Sequence, residues 1–113
     1  MIKVSVMYPN QSGNHFDITY YCEKHIPLVH QLVGPALRES AVDHGLSGMM
    51  PNTPAPYLAI GHLYFDSLDS FQQAFGPVLP QIVADLQHFT NAQPLVQISE
   101  VKQQSPAPCD EAV

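Results

Sequence analysis

Hydrophobic and polar residues alternate with period two near both ends of the chain and in its middle, and with helical period between those stretches. Residues 1–8 place Ile2, Val4, Val6 and Tyr8 on one side, which predicts a half-buried strand. Residues 9–14 are rich in turn formers. A helix is predicted over 17–33, with Asp17 as its N-cap and Gly34-Pro35 as its terminator. Phe16 and Tyr21 are placed to staple its first turn. Tyr21 and His25, four apart, share a face that Leu28 and Leu32 extend. Residues 37–46 read as an edge-like strand, and 47–56 as a proline-stiffened loop carrying Met49 and Met50.

Residues 57–65 form the best strand, apolar on both faces. Asp66 or Ser67 then caps a second helix, whose apolar residues run from Phe71 and Phe75 to Leu86 with Gly76-Pro77 in the middle. A last alternating strand covers 95–101. Residues 103–113 read as a flexible or partner-contacting tail after a domain of residues 1–102. The order strand–helix–strand, strand–helix–strand predicts an α+β, ferredoxin-like fold: an antiparallel sheet with two helices on one face. The other face must be polar or covered, and its apolar central strand predicts sheet-to-sheet packing of a homodimer into a barrel.

Charge removes several functions. The net charge is −6, and Lys3, Lys24, Arg38 and Lys102 are the cations, so neither nucleic acid nor an anionic membrane is expected as a partner. No apolar run approaches the roughly 20 residues of a membrane span, and a cytoplasmic protein is expected. Cys22 and Cys109 make no disulfide framework, and Cys22 is expected to be a buried, inert thiol. The six histidines lack metal-ligand spacing, so no metal is expected, and no glycine-rich fingerprint supports a nucleotide cofactor.

His25 is the leading chemical candidate, because imidazole titrates near neutrality and sits on an inward stripe beside Pro27. Pro27 removes the N–H that the Glu23 carbonyl would accept. His25 therefore either acts as an acid or base, or simply packs with its ring bonded to that carbonyl. Tyr21 or Tyr64 could donate to an enolate formed by such a base. His62 and Tyr64 share one strand face, which lines either a pocket or a dimer contact. Ala59 and Gly61 on the opposite face would leave room for a ligand beneath the helices, walled by Leu28, Phe71 and Phe75. His15, His30 and His88 read as surface residues.

Three segments resemble one family. They are Tyr8-Pro9-Asn10 with Phe16-Asp17-x-x-Tyr20-Tyr21-x-x-Lys24-His25-x-Pro27-Leu28, then Pro56-Tyr57-x-Ala59-x-Gly61-His62-Leu63-Tyr64-Phe65-Asp66-Ser67, then Ala84-Asp85-x-x-x-Phe89-Thr90-Asn91. Together they resemble the EthD family of the dimeric α+β barrel superfamily, over roughly residues 1–102. The resemblance implies a homodimer with facing sheets, a pocket within each subunit, and a first-helix histidine, here His25, as acid or base. Similar barrels include lactone isomerases, polyketide cyclases and cofactor-free monooxygenases. The expectation is a small cofactor-independent enzyme of isomerase, lyase, cyclase or monooxygenase type, acting on a small apolar carbonyl or aromatic catabolic intermediate. The alternative is a binding or accessory protein of a degradation pathway. Asp85 is read as fixing the Thr90-Asn91 turn.

Overall fold

A computed structural model describes residues 1–104, so most of the predicted tail, with Cys109, lies outside the described residues. Four antiparallel strands form one sheet: β1 (Ile2–Pro9), β2 (Glu39–His44), β3 (Tyr57–Phe65) and β4 (Leu95–Glu100), in the order β2-β3-β1-β4. Helix α1 follows β1 and helix α2 follows β3, which is the predicted ferredoxin-like α+β arrangement. β2 and β4 are the edges.

Alternation sets which side of the sheet is covered. Val4 and Tyr8 of β1 and Ala59, Leu63 and Phe65 of β3 are buried under the helices. Register places Ser5 opposite His62 and Met7 opposite Ile60, so these residues point to the other, open face. β1 and β3 therefore present apolar side chains on one side and a mixed set on the other. Burial of Phe65, Val4 and Val29 contributes roughly 1.5–3 kcal/mol per side chain.

Helix α1 has three continuous segments: α-helical Ile18–Tyr20, π-helical Tyr21–His25 and α-helical Ile26–Val33. Asp17 caps it as expected, accepting the Tyr20 N–H at 3.0 Å. The wide turn was not expected. In it the Ile26 N–H reaches back five residues to the Tyr21 carbonyl. Pro27 explains its place, since a tight α-turn there would press the proline ring against the Glu23 carbonyl. The fully buried stripe is Tyr21, His25, Val29 and Val33, while Leu28 and Leu32 are half-buried flanks. Cys22 is exposed rather than buried, because it projects from the opposite side of this turn. Gly34, at φ +79°, ends the helix in a conformation that favours glycine.

Helix α2 runs over residues 68–88 as α-helical Leu68–Phe75 and Leu79–Asp85, each followed by a 3-10 turn. Ser67 is its cap, closing a reciprocal pair with Ser70. The irregularity at Gly76–Val78 is the predicted Gly-Pro break. After the helix, Thr90 and Asn91 clamp the segment that leads into α1. Thr90 Oγ1 donates to the His15 carbonyl at 2.6 Å, and the Asn91 amide group donates to the Gly13 carbonyl at 3.0 Å. Asp85 takes no part in that clamp, contrary to the turn-fixing role expected for it.

The space expected above Ala59 and Gly61 is filled. A Cβ at Gly61 would overlap the Tyr21 hydroxyl, so this glycine is the seat of a tyrosine and not the floor of a ligand pocket. Gly61→Ala should cost about 1–3 kcal/mol in chemical denaturation, the usual penalty of overpacking. Tyr21→Phe in that background should recover most of the loss, since it removes the overlapping atom. Equal costs of Gly61→Ala in both backgrounds would show that the two positions do not meet.

Candidate functional site

A neutral imidazole buried among aromatic rings needs a hydrogen-bond partner, and His25 finds one on the other helix. The residue is 3% exposed. Nδ1–H donates to Oδ2 of Asp85 at 2.8 Å, across 60 residues of sequence. The carboxylate can only accept, so it fixes the proton on Nδ1 and leaves Nε2 with its lone pair. The Tyr20 hydroxyl donates to the other carboxylate oxygen, Oδ1, at 2.9 Å. The packing alternative, with His25 bonded to the Glu23 carbonyl, does not occur.

The π-turn makes this triad possible. Tyr20 and His25 are five apart, a spacing that an α-helix directs to different sides. The wide turn between them absorbs one extra residue, and both side chains reach Asp85. Tyr21 stacks on the imidazole, with centroids 5.4 Å apart and planes 17° apart, and Phe89 lies 4.6 Å away. Tyr8 and Phe16 complete the aromatic group around Tyr21.

Electrostatics follow from burial. Desolvation holds the His25 pKa below its ordinary value, and the Asp85 carboxylate opposes that only in part. Burial pushes Asp85 up, but hydrogen bonds from His25 and Tyr20 outweigh it and leave the carboxyl below its ordinary range. The bond to Asp85 raises the Tyr20 phenol. Burial pushes Tyr21 up to about 12, and burial likewise raises its neighbour Tyr8. Near neutral pH the site is thus a neutral imidazole on a carboxylate, flanked by protonated phenols.

Nε2 makes no hydrogen bond with any described residue, yet it is not sealed. Among the described residues His62 Nδ1 is the enclosed side-chain nitrogen or oxygen left without a partner. Nε2 is therefore the unpartnered end of the dyad.

A cavity of about 290 Å³ lies between β1, β4 and α2, with an almost wholly apolar wall. Phe71 and Phe75 line it, together with Val4, Val6, Ile82 and Leu86. Leu28 does not, and neither do His25 or Tyr21. Tyr8 joins the two regions, because it lines the cavity and meets Tyr21 edge-on at 5.6 Å. His62 and Tyr64 stand on the open sheet face, away from His25, so the structure does not bring Tyr64 to the dyad. His62 Nε2–H donates there to Asp43 at 2.8 Å. His30 and His88 are surface residues, the former sharing a hydrogen bond with Ser40 and the latter stacked on Tyr20. Sequence reasoning missed Asp85 and Tyr20 as members of the site. Both lie in the quoted family motifs, which was the available signal. Among the described residues no group of His, Cys, Asp and Glu is arranged to hold a metal, and no helix is long and apolar enough to cross a membrane.

A family model of the EthD domain matches residues 14–93. The structure resembles the crystal structure of an EthD-like protein from Ralstonia eutropha JMP134, with 36% identity, TM-score 0.88, and 92% of this chain and 94% of that chain covered. It also resembles an EthD family protein from Bacillus halodurans C-125, with 23% identity, TM-score 0.67, and coverage of 89% and 98%. An Arabidopsis thaliana protein shares the fold at 12% identity and TM-score 0.65, with coverage of 94% and 100%. No curated protein matches the sequence.

The dyad sets a pH dependence of stability. His25 has a folded pKa below the ordinary 6.5, so the unfolded chain binds that proton first. Stability should therefore fall as pH drops below 6.5, and this slope should end once folded His25 also protonates. Asp85, whose folded pKa lies below 3.8, loses its contribution only at still lower pH. Denaturant midpoints across this range should show the first slope, and His25→Gln, which does not titrate, should flatten it.

Proposed function

The chain belongs to the EthD domain family, and on that premise we propose that it is a small, cofactor-independent enzyme that moves a proton on an apolar carbonyl compound. The observation that carries this reading is the buried His25–Asp85 dyad with Nε2 left unpartnered. In the proposed step the Nε2 lone pair takes a proton from the carbon next to a carbonyl. The C–H electron pair moves into the enolate, and the new N–H returns the proton to another carbon. Asp85 stabilises the imidazolium formed in between, and Tyr20 holds the carboxylate. Tyr21, protonated and stacked on the imidazole, is the donor suited to the enolate oxygen. Tyr64 is dropped from that role because it occupies the other sheet face. The substrate's apolar body takes the cavity walled by Phe71 and Phe75, while its carbonyl end must pass the Tyr8–Phe89 layer to meet Nε2.

Isomerisation of a lactone or of an aromatic catabolite fits this proton transfer. We place the same chemistry within a homodimer packed through the open sheet faces. In support, Met7, Leu58 and Ile60 lie together on that face, beside the charged Lys3, Glu39 and Asp43.

A second reading is a binding module that holds a small apolar molecule without converting it. The absence of the dyad from the cavity wall favours this reading. A screen of lactones, aromatic aldehydes and short polyketide analogues separates the two, using thermal shift beside turnover. The enzyme reading expects a compound that stabilises both wild type and His25→Ala. Wild type alone should convert it, with loss in the variant by a factor on the order of 10²–10⁴. Asp85→Asn should lower kcat while leaving binding intact. Stabilisation without turnover supports the binding module, and an unchanged rate in His25→Ala removes the dyad from the chemistry.

A further inference from the structure

The β2–β3 connection is an arm built as a β-hairpin. Beyond the strands, Gly45 N–H donates to the Leu58 carbonyl at 2.9 Å and Gly48 N–H to Thr53 at 2.9 Å. Thr53 N–H closes the tip on Met50, and Asn52 takes the left-handed conformation (φ 64°) that the turn requires. The legs run so close that a Cβ at Gly45 would overlap the Tyr57 carbonyl. At the base, the Asn10 backbone N–H and side-chain amide donate to the Pro56 and Ala55 carbonyls at 3.0 and 2.9 Å. Pro51, Pro54 and Pro56 stiffen it further.

This arm carries apolar side chains to nothing. Leu46 and Met49 are 93% and 101% exposed, and Met50 is 65% exposed, so none of them packs fully on its own chain. An apolar concavity is available to receive them. Leu79, Val83 and Val96 line the cavity and are 44–58% exposed, forming an open apolar rim between α2 and the edge strand β4. Charge agrees on both sides. Residues 44–65, 70–84 and 86–99 contain no Asp, Glu, Lys or Arg, so the arm is uncharged and the rim residues lie in uncharged stretches of α2 and β4, whose charges, Asp69, Asp85 and Glu100, flank them. Depletion of charge and enrichment in methionine mark the cores of protein interfaces. Each leg of four residues carries the tip about 13 Å beyond the ends of β2 and β3 at strand rise.

We propose that the arm of one chain seats Leu46, Met49 and Met50 on the rim formed by Leu79, Val83 and Val96 of a second copy, so that each cavity is closed by the other chain. The proposal rests on the self-association described above and adds to it that the cavity is incomplete in one chain alone.

Oxidative cross-linking tests it. In a background of Cys22→Ser and Cys109→Ser, Met49→Cys is paired with Val83→Cys, and separately Met50→Cys with Val96→Cys. Sedimentation of the uncross-linked proteins gives the oligomeric state. The expected result is a dimer in solution, with loss of the monomer band on a non-reducing gel for at least one pair and its retention in the single variants. A dimer in which neither pair cross-links, or in which Met49→Cys alone links tip to tip, overturns the arm seating and leaves the sheet-to-sheet dimer standing. A monomer at micromolar concentration overturns both.

Discussion

The hydrogen bond from His25 to Asp85 is the contact on which the site is built, because it joins the two helices across the interior of the α layer. Without it the imidazole would sit among Tyr21 and Phe89 with a buried donor unmade, a loss of about 1–3 kcal/mol. With it, α1 and α2 are held at one spacing, and Phe89 follows four residues after Asp85 to pack on the same ring. The Phe89 carbonyl then accepts the Asp17 N–H at 2.8 Å, which fixes the start of α1. The polar bond, the aromatic stack and the helix start are therefore one connected unit.

Chemistry and volume are kept apart in this chain. The polar unit sits between α1 and the end of α2, whereas the empty space lies against β1, β4 and the middle of α2. Tyr8 is shared, with its ring in both regions and its phenol beside that of Tyr21. Its burial and its tie to Tyr21 give the interior a polar atom at the boundary of an otherwise hydrocarbon cavity.

Much of the fold was legible in the sequence. Alternation located β1 and β3, Asp17 marked the first helix start and Asp66 or Ser67 the second, and Gly34-Pro35 marked the end of α1, because these signals are local and each has a direct physical cause. The site was legible only in part. His25 and Tyr21 stood out from periodicity, as did Phe71 and Phe75 from the helical spacing of the second helix. Asp85 did not stand out, since a partner 60 residues away leaves no trace in local spacing. Tyr20 was passed over because a regular helix would turn it away. Gly61 was misread because a small residue in a strand marks close approach of something, and the sequence does not say whether that is a ligand or, as here, a tyrosine hydroxyl.

The π-turn also bears on how this chain can vary between lineages. A π-turn is an α-helix carrying one additional residue, so deleting Cys22, Glu23 or Lys24 would restore an ordinary helix without breaking it. Tyr20 and His25 would then stand four apart in a regular helix, and both would still face Asp85. The same deletion within Ile26–Val33, which has no such slack, would turn the residues beyond it by about 100° and take Val33 off the core. The wide turn is therefore the place where this helix can lose a residue and keep its buried stripe.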